Sequence, residues 1–260
     1  MTIKEMKERK KELGYTCAQI AGLSGVPLGT VQKIFSGATA SPRYDTLTEL
    51  EKVLAPPDPS SIREPQAVYG GKQQGDYTLE DYYQIPDERR VELIDGVIYD
   101  MASPTSFHQL IAGLIHMKLL SHVLDRRGKC LPMISPIDVQ LDCDNRTMVQ
   151  PDVVIVCDRD KVIERCIYGA PDFVIEVISR SSARRDAVIK LNKYMAAGVR
   201  EYWIIDPDRQ KVLVYRFQKE EYPLIYGFDA QIPVEIWDDG FAIDFREVYE
   251  HIRFLYERGT

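Results

Sequence analysis

Glu176 interrupts an apolar run in the stretch "APDFVIEVISRSS", which begins at Ala170. Pro171 on one side and a serine pair on the other bound Phe173 to Ile178, the pattern of a buried β-strand. A carboxylate taken out of water is costly unless it is protonated, paired or bound to a metal. "VQPDVVIV" repeats the anomaly, with Asp152 following Pro151 at the head of a second apolar strand. Strand alternation sets Asp152 on the face of Val154 and Val156, and Glu176 on the face of Val174 and Ile178. Two such acids are best explained by a shared cation. Hard oxygen donors with no Cys or His beside them point to Mg²⁺ (or Mn²⁺), which retains waters and pairs readily with a phosphate.

A helix predicted over about 183–197 follows Glu176 and carries Lys190 and Lys193. On a helical wheel its apolar centre falls at Ala187, Leu191, Tyr194 and Met195. Lys190 lies at the edge of that stripe, and Lys193 is turned toward solvent. Acid, acid and lysine on strand, strand and following helix are the parts of a metal-dependent phosphodiesterase. The metal polarises the phosphate and lowers the pKa of a bound water, while the lysine orients the nucleophile or steadies negative charge. The structural alternatives are a turn-capping Asp152 and a Glu176 paired with Arg184 or Arg185. Arg180, Arg184 and Arg185 form either a solvated helix start or a phosphate track.

These residues need a scaffold, and the larger C-terminal unit supplies it. "VELIDGVIYDM" reads as two strands meeting at Asp95-Gly96, a strong hairpin signal. A helix follows over about 106–126, then strands near 131–141, 149–156 and 171–178. After the lysine-bearing helix, ended by Gly198, strands at 201–206 and 211–217 flank the turn "DPDR". Two weaker strands and a helix near 244–257 complete an α/β arrangement, a mixed sheet between helices. Tyr202 and Trp203 read as core.

The N-terminal unit is read as all-helical, with helices over roughly 2–13, 16–23, 27–36 and 44–54 and breaks at Gly14, Gly25-Val26-Pro27 and Gly37. Thr16 suits the N-cap of the second helix and Pro27 the first turn of the third. The proline- and glycine-rich segment 56–76 reads as a linker, dividing the chain into 1–55, the linker and 77–260.

"CAQIAGLSGVPLGTVQKIFSG" has helix-turn-helix spacing, with Ile20, Val26, Val31 and Ile34 as the shared apolar seam. With the flanking positions it resembles the Cro/repressor-type (XRE) helix-turn-helix family over most of residues 3–54. That resemblance implies DNA as partner, a third helix in the major groove, and Leu28, Thr30, Gln32 and Lys33 facing bases. Gln32 would read adenine, and Lys33 guanine or phosphate. The alternative is a helical module for protein contacts.

"YTLEDYYQIP", "VELIDGVIYDMASPTSFH", "QPDVVIV", "DFVIEVIS" and "RRDAVIKLNKYMAAGVREYWIIDP" resemble the Uma-type restriction endonucleases, within the PD-(D/E)XK nuclease superfamily, over roughly 77–250. The resemblance implies a restriction-endonuclease-like core with Asp152 and Glu176 as metal ligands. The usual superfamily lysine would fall at Ile178, and the family places it instead in the next helix, where Lys190 lies. The family also features the hairpin glutamate, here Glu92, and a histidine opening the first helix, here His108. Glu92 could equally pair across the hairpin, and His108 could cap its helix. His116, His122 and His251 read as packing or surface residues.

Composition sets bounds on the rest. A net charge of −7 is unusual for a nucleic-acid binder, although residues 1–56 carry eight cations against six acids. Phosphate contacts must therefore come from local patches. No apolar run approaches a membrane span, and the N-terminus has no signal core. Five scattered cysteines (Cys17, Cys130, Cys143, Cys157, Cys166) suggest reduced thiols in a cytoplasm and no zinc site. The reading is a cytoplasmic Mg²⁺-dependent DNA endonuclease, acting as a homodimer because paired half-sites and double-strand cutting need two copies. Its rivals are a regulator or defence-system sensor with a degenerate nuclease core, and an enzyme of RNA or branched substrates.

Overall fold

The computed structural model of the chain describes residues 3–12, 15–39, 42, 44–54, 72–86, 88–179, 185–220, 222–238 and 240–257. Gly14, Arg180, Arg184 and the linker expectation up to residue 71 lie outside them. The chain forms two compact units.

The first is helical: α1 (Ile3–Glu12), α2 (Cys17–Ser24), α3 (Leu28–Ser36) and α4 (Tyr44–Leu54). Local signals set its boundaries. Thr16 caps α2 through its hydroxyl, which accepts the Gln19 N–H at 3.1 Å, while the Gln19 side chain accepts the Thr16 N–H at 2.7 Å. Gly25 ends α2 at φ 72°, a left-handed turn that a residue with a Cβ adopts only under strain. Pro27 sits one position earlier than anticipated, as the N-cap residue of α3. Met6, Ile20, Val26, Val31, Ile34, Leu50 and Leu54 fill the core between the helices.

The second unit opens with a short helix, α5 (Leu79–Tyr82), and the hairpin β1 (Val91–Ile94) and β2 (Val97–Asp100). Asp95 and Gly96 both take positive φ, 52° and 81°, as a two-residue hairpin turn requires. Then come α6 (Ser106–Asp125), β3 (Leu131–Ile134), β4 (Val139–Gln140), β5 (Val153–Val156), β6 (Ile167–Tyr168) and β7 (Phe173–Val177). A π-helical turn, Arg185–Lys190, runs into α7 (Leu191–Ala197). The chain continues through β8 (Glu201–Asp206), β9 (Lys211–Arg216), β10 (Leu224–Gly227), β11 (Gln231–Pro233), β12 (Ala242–Asp244) and α8 (Phe245–Glu257).

Six strands form the central mixed sheet in the order β10-β9-β8-β7-β5-β3. β5 is antiparallel to both β3 and β7, whereas β7 and β8 run parallel, joined by the π-turn and α7 as crossover. This is the restriction-endonuclease-like architecture, a mixed sheet flanked by helices. Phe173 and Trp203 meet edge-on on one face, with Phe245 of α8 beyond them. Tyr202, from the other face, meets Tyr194 of α7.

Three expectations need correction. The strand anticipated over 131–141 is two strands, because Pro136 has no N–H with which to continue the ladder. β3 joins the main sheet, and β4 pairs with β6 instead. Three short strands, not two, precede the terminal helix. The five thiols are not all reduced: Cys130 and Cys157 form a disulfide. They extend the β3–β5 register by one pair beyond Leu131 and Val156, a proximity hidden by their separation of 27 residues along the chain.

Candidate active site

The register of two strands decides whether the acids meet. Val153 lies opposite Ile175 in the antiparallel pair, so the preceding residue, Asp152, lies opposite the following one, Glu176. Directly opposed residues of an antiparallel pair share a face, with Cβ atoms about 4.5–5.5 Å apart. The Asp152 carboxylate reaches across to β7, where its Oδ2 accepts the Val177 N–H at 2.7 Å. Both acids are buried, at 6% and 3% exposure.

Lys190 stands at the centre of the cluster, 1% exposed. Its Nζ lies 2.6 Å from Glu92 Oε1, 2.7 Å from Glu176 Oε1 and 3.6 Å from Asp186 Oδ1. Glu92 is fully buried, and its Oε1 also accepts the Gln150 N–H at 2.8 Å. Arg185 Nε lies 3.2 Å from Glu92 Oε2. His108 opens α6, its backbone N–H capped by Thr105, and its Nε2 lies 2.8 Å from Asp152 Oδ1. Tyr194 donates its hydroxyl to Glu176 Oε1 at 2.8 Å.

The electrostatics follow from this packing. Burial pushes the Glu176 pKa well up, Lys190 opposes the shift, and Asp186, Asp152 and Glu92 add to it. Burial also works against the Lys190 charge, but Glu176, Glu92 and Asp186 outweigh it and raise its pKa. With two carboxylate oxygens within 2.7 Å, the ammonium form of Lys190 is the better supported.

The structure thus brings together Asp152, Glu176, Lys190, Glu92 and His108, and adds Asp186, Tyr194 and the Gln150 backbone. Lys193 stands apart, bound to Asp95 and Asp142. The wheel that placed Lys190 at the stripe's edge picked the lysine that meets the acids, but it misplaced Met195 because the helix is not uniformly α. A regular α-helix would fan Asp186, Lys190 and Tyr194 over about 80°, two steps of about 40°. The π-turn closes on i→i+5 and rotates less per residue, drawing the three toward one line on the buried side. Met195, assigned to the apolar centre, is 53% exposed as a result. The available signal was the i, i+4, i+8 spacing of the three polar residues.

The donor set is of the hard-oxygen kind that a divalent cation takes. Glu92, Asp152, Glu176 and Asp186 bring four carboxyl groups to one buried space, with Lys190 and Arg185 among them. All the donors are oxygens, and Glu92 Oε2 faces the Arg185 guanidinium at 3.2 Å. Among the described residues no three ligands converge on one point. The ammonium lies where Glu92 and Glu176 meet.

In the helical unit, Leu28, Gln32 and Lys33 are exposed and Thr30 is half-buried, while Val31 and Ile34 of the same helix face the core.

Residues 79–243, well over half of the chain, match the Uma2 family, described as "Putative restriction endonuclease". The chain belongs to the Uma2 family. Residues 6–55 match a helix-turn-helix family. A solved structure from Anabaena variabilis ATCC 29413, described as a "putative nuclease belonging to DUF820", shares 23% identity at a TM-score of 0.56. The likeness covers 66% of this chain and 97% of that one, and establishes a common fold. No curated protein matches. This Uma2 chain therefore joins a nuclease-like domain to a helix-turn-helix motif. Among the described residues no helix is long and apolar enough to cross a membrane.

Proposed function

We propose that the chain is a divalent-metal-dependent DNA endonuclease, delivered to its substrate by the helix-turn-helix unit. The carrying observation is the directly opposed register of Asp152 and Glu176, with Lys190 against Glu176 at 2.7 Å. Asp152 and Glu176 would hold Mg²⁺ or Mn²⁺, with Glu92 beside them. The ion, when bound, supplies a polarised phosphate and a water of lowered pKa. Lys190, released from one carboxylate, steadies charge on the phosphate, and His108 borders Asp152. Leu28, Thr30, Gln32 and Lys33 present the DNA-reading face. Residues 1–55 and 77–260 are the working domain boundaries, and a cytoplasmic homodimer is the working assembly.

Cleavage of supercoiled and linear DNA with Mg²⁺ tests this reading. Asp152→Ala and Glu176→Ala each abolish cutting, and unchanged cutting by either rules the site out. RNA and branched DNA assayed at the same salt concentration define the substrate.

A second reading has one observation in its favour: the Lys190 ammonium already neutralises the point where Glu92 and Glu176 converge. On that reading the core binds without cutting, and the protein is a regulator or sensor. Tight operator binding that survives Asp152→Ala, with no metal uptake by calorimetry, selects it.

A further inference from the structure

Glu176 Oε1 is held by two donors of different kinds. Lys190 reaches it at 2.7 Å but also serves Glu92 and lies near Asp186. In the proposed reaction that ammonium turns to the phosphate, so it is not a permanent anchor. The second donor, Tyr194, has one hydroxyl, spends it on Glu176 at 2.8 Å, and is fully buried.

The ring of Tyr194 is itself fixed. It meets Tyr202 edge-on at 4.9 Å, and the Tyr202 hydroxyl donates to the Asp186 carbonyl at 3.0 Å, inside the π-turn. Tyr202 stacks in turn against Tyr215 at 6.0 Å. This ladder connects β9, β8 and α7 and ends on one carboxylate oxygen.

We infer that Tyr194 is a positioning residue, whose hydroxyl keeps the Glu176 carboxylate in its metal-binding orientation both before and after Lys190 turns to the phosphate. The inference rests on the divalent-ion reading above. Partners behind a metal ligand fix its orientation, and removing one weakens metal affinity about 10–100-fold. Tyr194→Phe removes the hydroxyl and keeps the ring.

The experiment is calorimetric titration of Mn²⁺ into the full chain, with thermal melting of each variant alongside. Tyr194→Phe binds Mn²⁺ about 10-fold or more weakly. Tyr202→Phe, which loses a buried hydroxyl from the same ladder, melts earlier but binds Mn²⁺ as the wild type does. Equal affinity in wild type and Tyr194→Phe overturns the inference alone. Equal weakening in both variants, or loss of the fold in Tyr194→Phe, assigns the hydroxyl to stability and also overturns it. No Mn²⁺ uptake by the wild type overturns the divalent-ion reading, and this inference with it.

Discussion

Leu28, Gln32 and Lys33 stand on the exposed side of α3, and the core of the helical unit is formed without them. Glu92, Asp152, Glu176 and Lys190 are enclosed in the sheet unit, and each holds at least one of the others or a neighbouring backbone N–H. A reading face can change its residues at little cost to the fold. A buried charge cluster cannot, because each member compensates the desolvation of another. The difference teaches that, on the proposed function, specificity and chemistry lie under separate constraints. One is a surface property, the other part of the core.

Lys190→Met tests this contrast most severely. It strands buried carboxylates without their central ammonium and lowers stability by about 3–5 kcal/mol, read from urea unfolding at neutral pH. Mn²⁺ restores part of the loss if the acids accept a divalent ion. An unchanged urea midpoint would break the contrast.

Gln32→Ala is the opposite case. Its unfolding midpoint stays within about 0.5 kcal/mol of wild type. DNA binding weakens by about 1–3 kcal/mol at fixed salt, provided Gln32 reads a base. Stability falling as far as affinity would show that α3 is not a free reading face.

Asp138 gives the smallest effect and sharpens the contrast at the margin of the cluster. Its Oδ1 accepts from Tyr82 Oη at 2.9 Å and from Gln150 Nε2 at 2.9 Å. Burial raises its pKa, although those hydrogen bonds and Arg90 oppose the shift. A carboxyl whose folded pKa exceeds its unfolded value adds stability below the unfolded value and loses it as pH rises through the folded one. As pH rises above about 4 the wild type therefore loses more stability than Asp138→Asn, whose amide does not titrate. Parallel urea midpoints across that range would remove Asp138 from the balance.

Legibility divides along the same line. The helical unit could be read almost to the residue, because Thr16, Gly25, Pro27 and Gly37 act on their immediate neighbours. Strands β5, β7, β8 and β9 were legible as apolar runs, and the Asp95-Gly96 turn as a dipeptide. The hidden features depend on partners distant in sequence or on helix phase. Cys130 meets Cys157 only through the β3–β5 register. The Tyr194 hydroxyl has a carboxylate to bind only because the π-turn rotates it there, and an apolar wheel counts that residue as packing. Asp186, in the same turn, is buried beside them.

The opposition of Asp152 to Glu176 is set by ladder pairing, so the length of chain between them is chemically silent. Segment 157–172 lies outside the paired positions, so its length does not decide which way either acid faces. One residue inserted within either strand, between its acid and the paired positions, would turn that carboxylate to the far side of the sheet. Kinship with this chain is better sought by fixing the phase of each acid within its own strand and leaving the interval between them open.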